Sequence, residues 1–290
     1  MSIFWFLRRK DTKASPAAPA QTSTPQSSAT TSNTTPPTSA PTTSTSMISS
    51  KIIVITGAAR GIGFELARQL STSNTVFAVV RTPASADKLN SLAQTQSNLQ
   101  VVEGDITDLA SIKKSVEAVS AKSDGKIDIL INNAGINVGE QMGLVNVDPQ
   151  DLNTQLTANV TGPVQTTTAF LPLLKAGSTK TIAFIGSRQG SLSLATKTDD
   201  PAAFMGSYSV AKAALNMAVR KLANELNSNE KASFSVLSLH PGWVATDMGG
   251  AQAPLTAEDS AKGLISVLEK RSVPAETGKF YGYDGSEIAW

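Results

Sequence analysis

Cysteine is absent from the 290 residues, histidine occurs once, and aromatic residues make up only 5% of the chain. Without cysteine there are no disulfides, no thiolate metal sites and no cysteine nucleophile, and no metal centre is expected. That absence suits a reducing compartment, and a cytoplasmic location is the expectation. Neither sign of charge dominates: 25 Lys and Arg stand against 23 Asp and Glu. With a net charge of +2 spread along the chain and no basic stripe, nucleic-acid binding is not expected. Long apolar runs are also missing, so no transmembrane span is expected, since one needs about 20 apolar residues. The opening "MSIFWFLRRK" places apolar Ile3 to Leu7 before Arg8, Arg9 and Lys10, an order that does not fit a secretory signal. Such a stretch suits weak contact with a membrane surface or an inert tail.

From Ala14 to Ser46 every residue is Ala, Ser, Thr, Pro, Gln or Asn. A segment of that composition buries too little apolar surface to offset the entropy of ordering, so residues 1–46 are expected to be a disordered tail. Residues 47–290 remain for one α/β domain.

In that domain, short β-branched or apolar runs alternate with amphipathic stretches. "KIIVIT", "TVFAVV", "LQVVEGD", "IDILINNAG", "TIAFIGS", "FSVLSLHPG" and a run near Phe280 make about seven strands. Helical patterns lie between them around "IGFELARQL", Lys88, Ile112, "SYSVAKAALNMAVRKL" and Leu264. The pattern predicts a single doubly wound parallel sheet with helices on both faces and ligands at the carboxyl ends of its strands.

The first strand runs into "TGAARGIG", Thr56 to Gly63, and then a helix. Gly57, Gly61 and Gly63, with Ile62 between the last two, let backbone approach a pyrophosphate at the positive end of the helix dipole. An acidic residue at the end of the second strand would select NAD, but this strand ends "AVVRTP". Arg81 there and Arg60 in the glycine loop could hold a 2′-phosphate through charge-assisted bonds, so NADP(H) is favoured over NAD(H).

Tyr208 and Lys212 stand four residues apart in a helical pattern, about one turn, and so share a face. A hydride delivered to a carbonyl leaves an oxygen that needs a proton, and a phenol within reach can supply it. The ordinary phenol pKa is near 10, and a neighbouring ammonium is expected to lower it.

Taken in order, "TGAARGIG", "GDIT" at Gly104 to Thr107, "NNAG" at Asn132 to Gly135, Asn159 in "NVTG", Ser187, the Tyr208/Lys212 pair and "HPGWVATDM" at His240 to Met248 carry a resemblance. The sequence from Lys51 to Trp290 resembles the short-chain dehydrogenase/reductase family, with a Rossmann-type fold. "HPGWVATDMGG", "APLTAEDSAKG" and "GKFYGYDGSEIAW" are similar to its carbonyl-reductase and C-factor-like branch. The resemblance implies that Asp105 and Ile106 border the adenine and that Asn133, Ala134 and Gly135 line the ribose. It places Pro241, Gly242, Val244 and Thr246 along the nicotinamide. It implies a catalytic tetrad of Asn159, Ser187, Tyr208 and Lys212: Ser187 holds the substrate oxygen, Tyr208 gives the proton, Lys212 also bonds the ribose, and Asn159 positions a water connecting Lys212 to solvent. Homo-oligomers, dimer or tetramer, would form through helices near Ala169 and Ala214.

Ser187 and Tyr208 are 21 positions apart, more than is usual in the family. The extra length, "SLATKTDDPAAFM" with Asp199, Asp200 and Pro201, is expected to be a loop beside the substrate cleft, and it makes Ser191 and Ser193 rivals of Ser187. His240 invites a hydrolase triad with Ser187, but no nucleophile elbow surrounds that serine. Trp243 and Met248 would either touch substrate from a flap or belong to the core. The function expected is NADP(H)-dependent reduction of an aldehyde, ketone or polyketide-like carbonyl, a small-molecule substrate. Oxidation of a secondary alcohol by the same residues, or a nucleotide-binding signalling scaffold of C-factor type, are the alternatives.

Overall fold

Runs of consecutive apolar residues become strands that are buried on both faces. In the computed structural model, which describes residues 48–139, 143–195, 205–228 and 233–290, these are β1 (Ile52–Thr56), β2 (Thr75–Val80), β3 (Leu99–Glu103), β4 (Ile129–Asn132), β5 (Thr181–Ile185), β6 (Ser235–His240) and β7 (Lys279–Gly282). All of β4 and β5 is buried, as is β1 from its second residue onward. The described residues form one seven-stranded sheet in the order β3-β2-β1-β4-β5-β6-β7, every neighbour parallel. The chain leaves β1 in one direction for β2 and later returns to its other side for β4, so a crevice opens at the carboxyl ends of β1 and β4.

Helices α1 (Gly61–Leu70), α2 (Asp87–Thr95), α3 (Leu109–Ser120), α4 (Pro149–Leu156), α5 (Gly162–Ala176), α6 (Gly206–Asn227) and α7 (Ala257–Arg271) cover the sheet. One core joins Leu66 and Leu70 of α1, Leu89 of α2 and Leu264 and Leu268 of α7 to Ile53, Ile55 and Ile131. The other joins Ile112 of α3, Phe170 and Leu174 of α5 and Leu215 and Val219 of α6 to Val54, Leu130 and Phe184. Alternate residues of each strand thus feed opposite cores, and both faces are sealed.

The chain between β4 and β5 is more elaborate than its pattern suggests. The sequence marks one helix near Ala169, whereas α4 and α5 are joined end to end by a π-helical turn at Thr157–Thr161. Asp148 caps α4 by accepting the Gln150 N–H at 2.8 Å. Pro163 and Pro172 lie inside α5, which blurs its helical signature. The tail at residues 1–46 and most of the expected loop, residues 196–204, lie outside the described residues. Among the described residues no helix is long and apolar enough to cross a membrane.

Candidate active site

The glycine loop is held from beneath by side chains of the neighbouring strand end. Thr56, buried at the end of β1, accepts the N–H groups of Asn133 and Ala134 on its hydroxyl, each at 3.1 Å. Asn133 returns its amide to the carbonyls of Thr56 at 2.9 Å and Gly57 at 3.1 Å. Gly57 has φ of +68°, and a Cβ there would lie 2.7 Å from the Ala134 Cα. Only glycine permits both the left-handed backbone and that approach. A Cβ on Gly63 would collide with the Gly57 carbonyl and the Asn133 amide. The first turn of α1 carries no acidic residue and no side-chain cap. Its N–H groups, brought close by glycines and at the positive end of the dipole, fit a pyrophosphate.

The second cluster lies at the ends of β4 and β5. Ser187 follows β5 and is buried, and its hydroxyl lies near enough to the phenol of Tyr208, in the first turn of α6, to favour the phenolate. Ser187 Oγ also accepts the Gln189 N–H at 3.2 Å. One turn along α6, the buried Lys212 donates from Nζ to the Ile185 carbonyl at 2.9 Å. Its Nζ lies 5.6 Å from the Tyr208 ring centroid. Asn159 sits in the π turn, where the wider ring displaces a residue from the helical register. A Cβ on Gly135 would come within 2.8 Å of Asn159 Oδ1 and 3.8 Å of Lys212 Nζ, so these two side chains meet beside Gly135, while Lys212 in turn lies over the Tyr208 ring.

The electrostatics correct one expectation. Burial pushes the Tyr208 phenol up to about 12, with the Ser187 hydroxyl acting the other way. Burial likewise pushes Lys212 down to about 8. The ammonium was expected to lower the phenol, but it is turned to the Ile185 carbonyl, and desolvation outweighs attraction across the ring. The Tyr208 phenol is therefore protonated at neutral pH.

The rival serines are engaged elsewhere. Ser191 Oγ donates to the Ala289 carbonyl at 2.6 Å, and Ser193 Oγ to the Trp290 carbonyl at 2.7 Å, where the Trp290 ring stacks on Phe280. His240 ends β6 with Nδ1 buried and without a hydrogen-bond partner among the described residues. Burial, with Arg188 and Lys212 adding to it and Asp284 opposing, lowers its pKa to about 4. A neutral histidine lacking a carboxylate bond at Nδ1 does not make a triad.

Arg81 is exposed at the end of β2, close enough to Asp105 to help hold that carboxyl down. Burial raises the Asp105 pKa, but bonds from the Thr107 N–H at 2.9 Å and hydroxyl at 2.7 Å bring the net shift below the ordinary value. Ile106 packs against Gly162 at the start of α5. Arg60 behaves differently from the expectation: its guanidinium is paired with Asp247 at 2.8 Å. Both side chains are exposed, and such a pair is worth about 0–1 kcal/mol, so a phosphate can compete for the arginine. Beyond β6 the Pro241 carbonyl accepts from Ser260 at 2.7 Å, Gly242 turns the chain with φ of +86°, and the buried Val244 pairs with Leu255. Thr246 lies against the glycine loop, its Cγ2 3.2 Å from where a Gly61 Cβ would stand. Trp243 is 55% exposed and Met248 47%, so neither belongs to the core. A shallow apolar groove between Val116 of α3 and Val160, Val164 and Ala169 lies outside this cluster.

The sequence model described as short chain dehydrogenase matches residues 51–255, which include every residue of both clusters. The chain belongs to the short-chain dehydrogenase family. This dehydrogenase is 42% identical to the C-signal protein of Myxococcus xanthus over 166 residues, 57% of its own chain and 94% of that protein. It is 32% identical to an uncharacterized oxidoreductase of Schizosaccharomyces pombe over 262 residues, 83% of this chain and 99% of the other. Among solved structures, the NADPH-bound carbonyl reductase from chicken fatty liver is similar with a TM-score of 0.76 at 31% identity, covering 84% of this chain and 100% of that one. Carbonyl reductase Sniffer of D. melanogaster follows with a TM-score of 0.74 at 31% identity, covering 83% and 100%. The dehydrogenase is thus a nucleotide-binding oxidoreductase. Sequence reasoning missed three of its site residues: Thr56, quoted in the glycine motif without a role, Asp247, and Gln155, whose amide bonds Asn159.

Proposed function

We propose that this dehydrogenase reduces the carbonyl of an apolar aldehyde or ketone with NADP(H). The observation that carries the reading is a linked series, Ser187 beside Tyr208, Tyr208 beside Lys212, and Lys212 meeting Asn159 at Gly135, next to a glycine cradle shaped for a pyrophosphate. When bound, the nicotinamide supplies a hydride to the carbonyl carbon. Ser187 Oγ would hold the substrate oxygen as negative charge gathers on it. Tyr208, kept protonated by burial, transfers its proton to that oxygen. The Lys212 ammonium stabilises the phenolate left behind, and Asn159 positions a water through which the proton is replaced.

Support for NADP(H) comes from Arg81 at the end of β2, where no carboxylate stands, and from the likeness to an NADPH-bound reductase. Arg60 adds its charge when the phosphate displaces Asp247. The exposed Leu192, Trp243 and Met248, on segments that follow β5 and β6, favour an apolar substrate. The face of α5 that carries Ala169 would be available for a homo-oligomer.

The test is to titrate the full chain with NADPH and NADH, then follow NADPH oxidation with an aromatic aldehyde. NADPH should bind more tightly, Arg81→Ala should weaken it without affecting NADH, and Tyr208→Phe should abolish turnover while binding persists. A Tyr208→Phe protein retaining most of its rate would overturn the mechanism. The likeness to C-signal favours a second reading, a nucleotide-binding signalling protein. That reading predicts that Tyr208→Phe preserves the biological role.

A further inference from the structure

Gln155 closes α4, four residues before Asn159, and is completely shielded from solvent. It belongs to none of the motifs that mark the family. The orientation of its amide is nevertheless determined by a chain of donors and acceptors. The Ile136 N–H can only donate, and it points at Asn159 Oδ1 at 2.9 Å. The Asn159 NH₂ must then be the group that reaches the Ile136 carbonyl and Gln155 Oε1, both at 2.9 Å. The Gln155 NH₂ is left facing Asn137 Oδ1 at 3.1 Å, the Val138 carbonyl at 3.3 Å and Ser207 Oγ at 3.4 Å.

Those partners belong to three separate pieces of chain: the π turn that carries Asn159, the segment that follows β4, and the first turn of α6, where Tyr208 is the next residue. We propose that Gln155 is a positioning residue of the active site, clamping Asn159 to the backbone at Ile136 and fixing the first turn of α6 against the segment after β4. Asn159 Oδ1 and Lys212 Nζ both lie within 4 Å of one point beside Gly135, so a small rotation of the Asn159 amide changes the path between them. The π turn makes such a clamp necessary, because its wider ring holds Asn159 less firmly than an α-helix would. A buried amide with unmet hydrogen bonds is costly, which drives the network to close in one arrangement.

The inference rests on the reductase reading for its turnover measurements and is independent of that reading for its exchange measurement. Gln155→Met keeps the length of the side chain and removes the amide. Two quantities would be followed in the full chain: hydrogen exchange at the Ile136 amide without nucleotide, and NADPH oxidation with the aromatic aldehyde. Loss of the clamp should speed Ile136 exchange and lower kcat about 10-fold, with the NADPH Kd unchanged. If Gln155 acts through Asn159, the double variant Gln155→Met/Asn159→Ala should be no slower than Asn159→Ala alone. In Gln155→Glu, a protonated carboxyl can accept from Asn159 and donate one bond, so kcat relative to wild type should recover as pH falls; this variant also serves if Gln155→Met does not fold. Unchanged Ile136 exchange in a folded Gln155 variant, or kcat losses that multiply in the double variant, would overturn the proposal. A wild-type protein that reduces no carbonyl would remove the reductase reading, and the Ile136 exchange would still decide whether the clamp exists.

Discussion

Replacing Thr56 by valine changes one hydroxyl into a methyl group of similar size, yet the strand end should weaken measurably. In the wild-type protein the Thr56 oxygen accepts two backbone N–H groups. Asn133 has a second acceptor, the Ile131 carbonyl at 3.0 Å, so its N–H keeps a partner. Among the described residues Ala134 has no other acceptor for its N–H, and the variant would leave that donor against a methyl group. One orphaned N–H costs about 1–3 kcal/mol, and valine restores none of it. Taking about 2 kcal/mol and about 2–4 °C of Tm per kcal/mol for a domain of this size, the melting temperature should fall by about 4–8 °C. Because Ala134 packs on Gly57, the glycine loop should loosen and nucleotide affinity should fall with stability. Denaturant unfolding with an unchanged m-value, alongside NADPH titration, would measure both. Thr56→Ser keeps the oxygen and should stay near wild type. A Thr56→Val protein within about 0.5 kcal/mol of wild type would refute the argument that this hydroxyl ties the two loops together.

Other substitutions probe the remaining parts. Gly63→Ala puts a methyl group into the Gly57 carbonyl and the Asn133 amide, and should remove detectable nucleotide binding while the isolated sheet signal in circular dichroism persists. His240 is held near pKa 4 in the folded chain, by burial first and by Arg188 and Lys212 after it, against about 6.5 when unfolded. The unfolded state therefore binds the proton first: stability is flat above about pH 6.5 and falls as pH drops toward 4, by about 2 kcal/mol at pH 5. His240→Asn should flatten that part of the stability profile, and an unaltered profile would show that the histidine is not its source. In pH–rate measurements, turnover should fall above about pH 8 as Lys212 loses its proton, and a rate that rose through that range would contradict the role given to the ammonium.

What the sequence by itself determined about this protein is whatever a short stretch of chain encodes. Consecutive β-branched or apolar residues specify buried parallel strands, as in Ile52–Thr56 and Thr181–Ile185. The four-residue spacing of Tyr208 and Lys212 puts them on one face wherever that helix lies. The glycines of the first turn are equally local, since a left-handed φ or a missing Cβ is a property of the residue itself. Tertiary structure decided what depends on residues far apart in the chain. Ser187 rather than Ser191 or Ser193 faces Tyr208 because the other two hydroxyls are taken by Ala289 and Trp290, about a hundred residues onward. Arg60 finds Asp247 across 187 positions, a pairing no spacing rule can announce. The π turn that carries Asn159 is held by Gln155, whose own partner Ser207 is 52 residues away. Burial of both Tyr208 and Lys212 reversed the expected shift of the phenol, because desolvation is set by everything packed around a group and not by its neighbours in sequence.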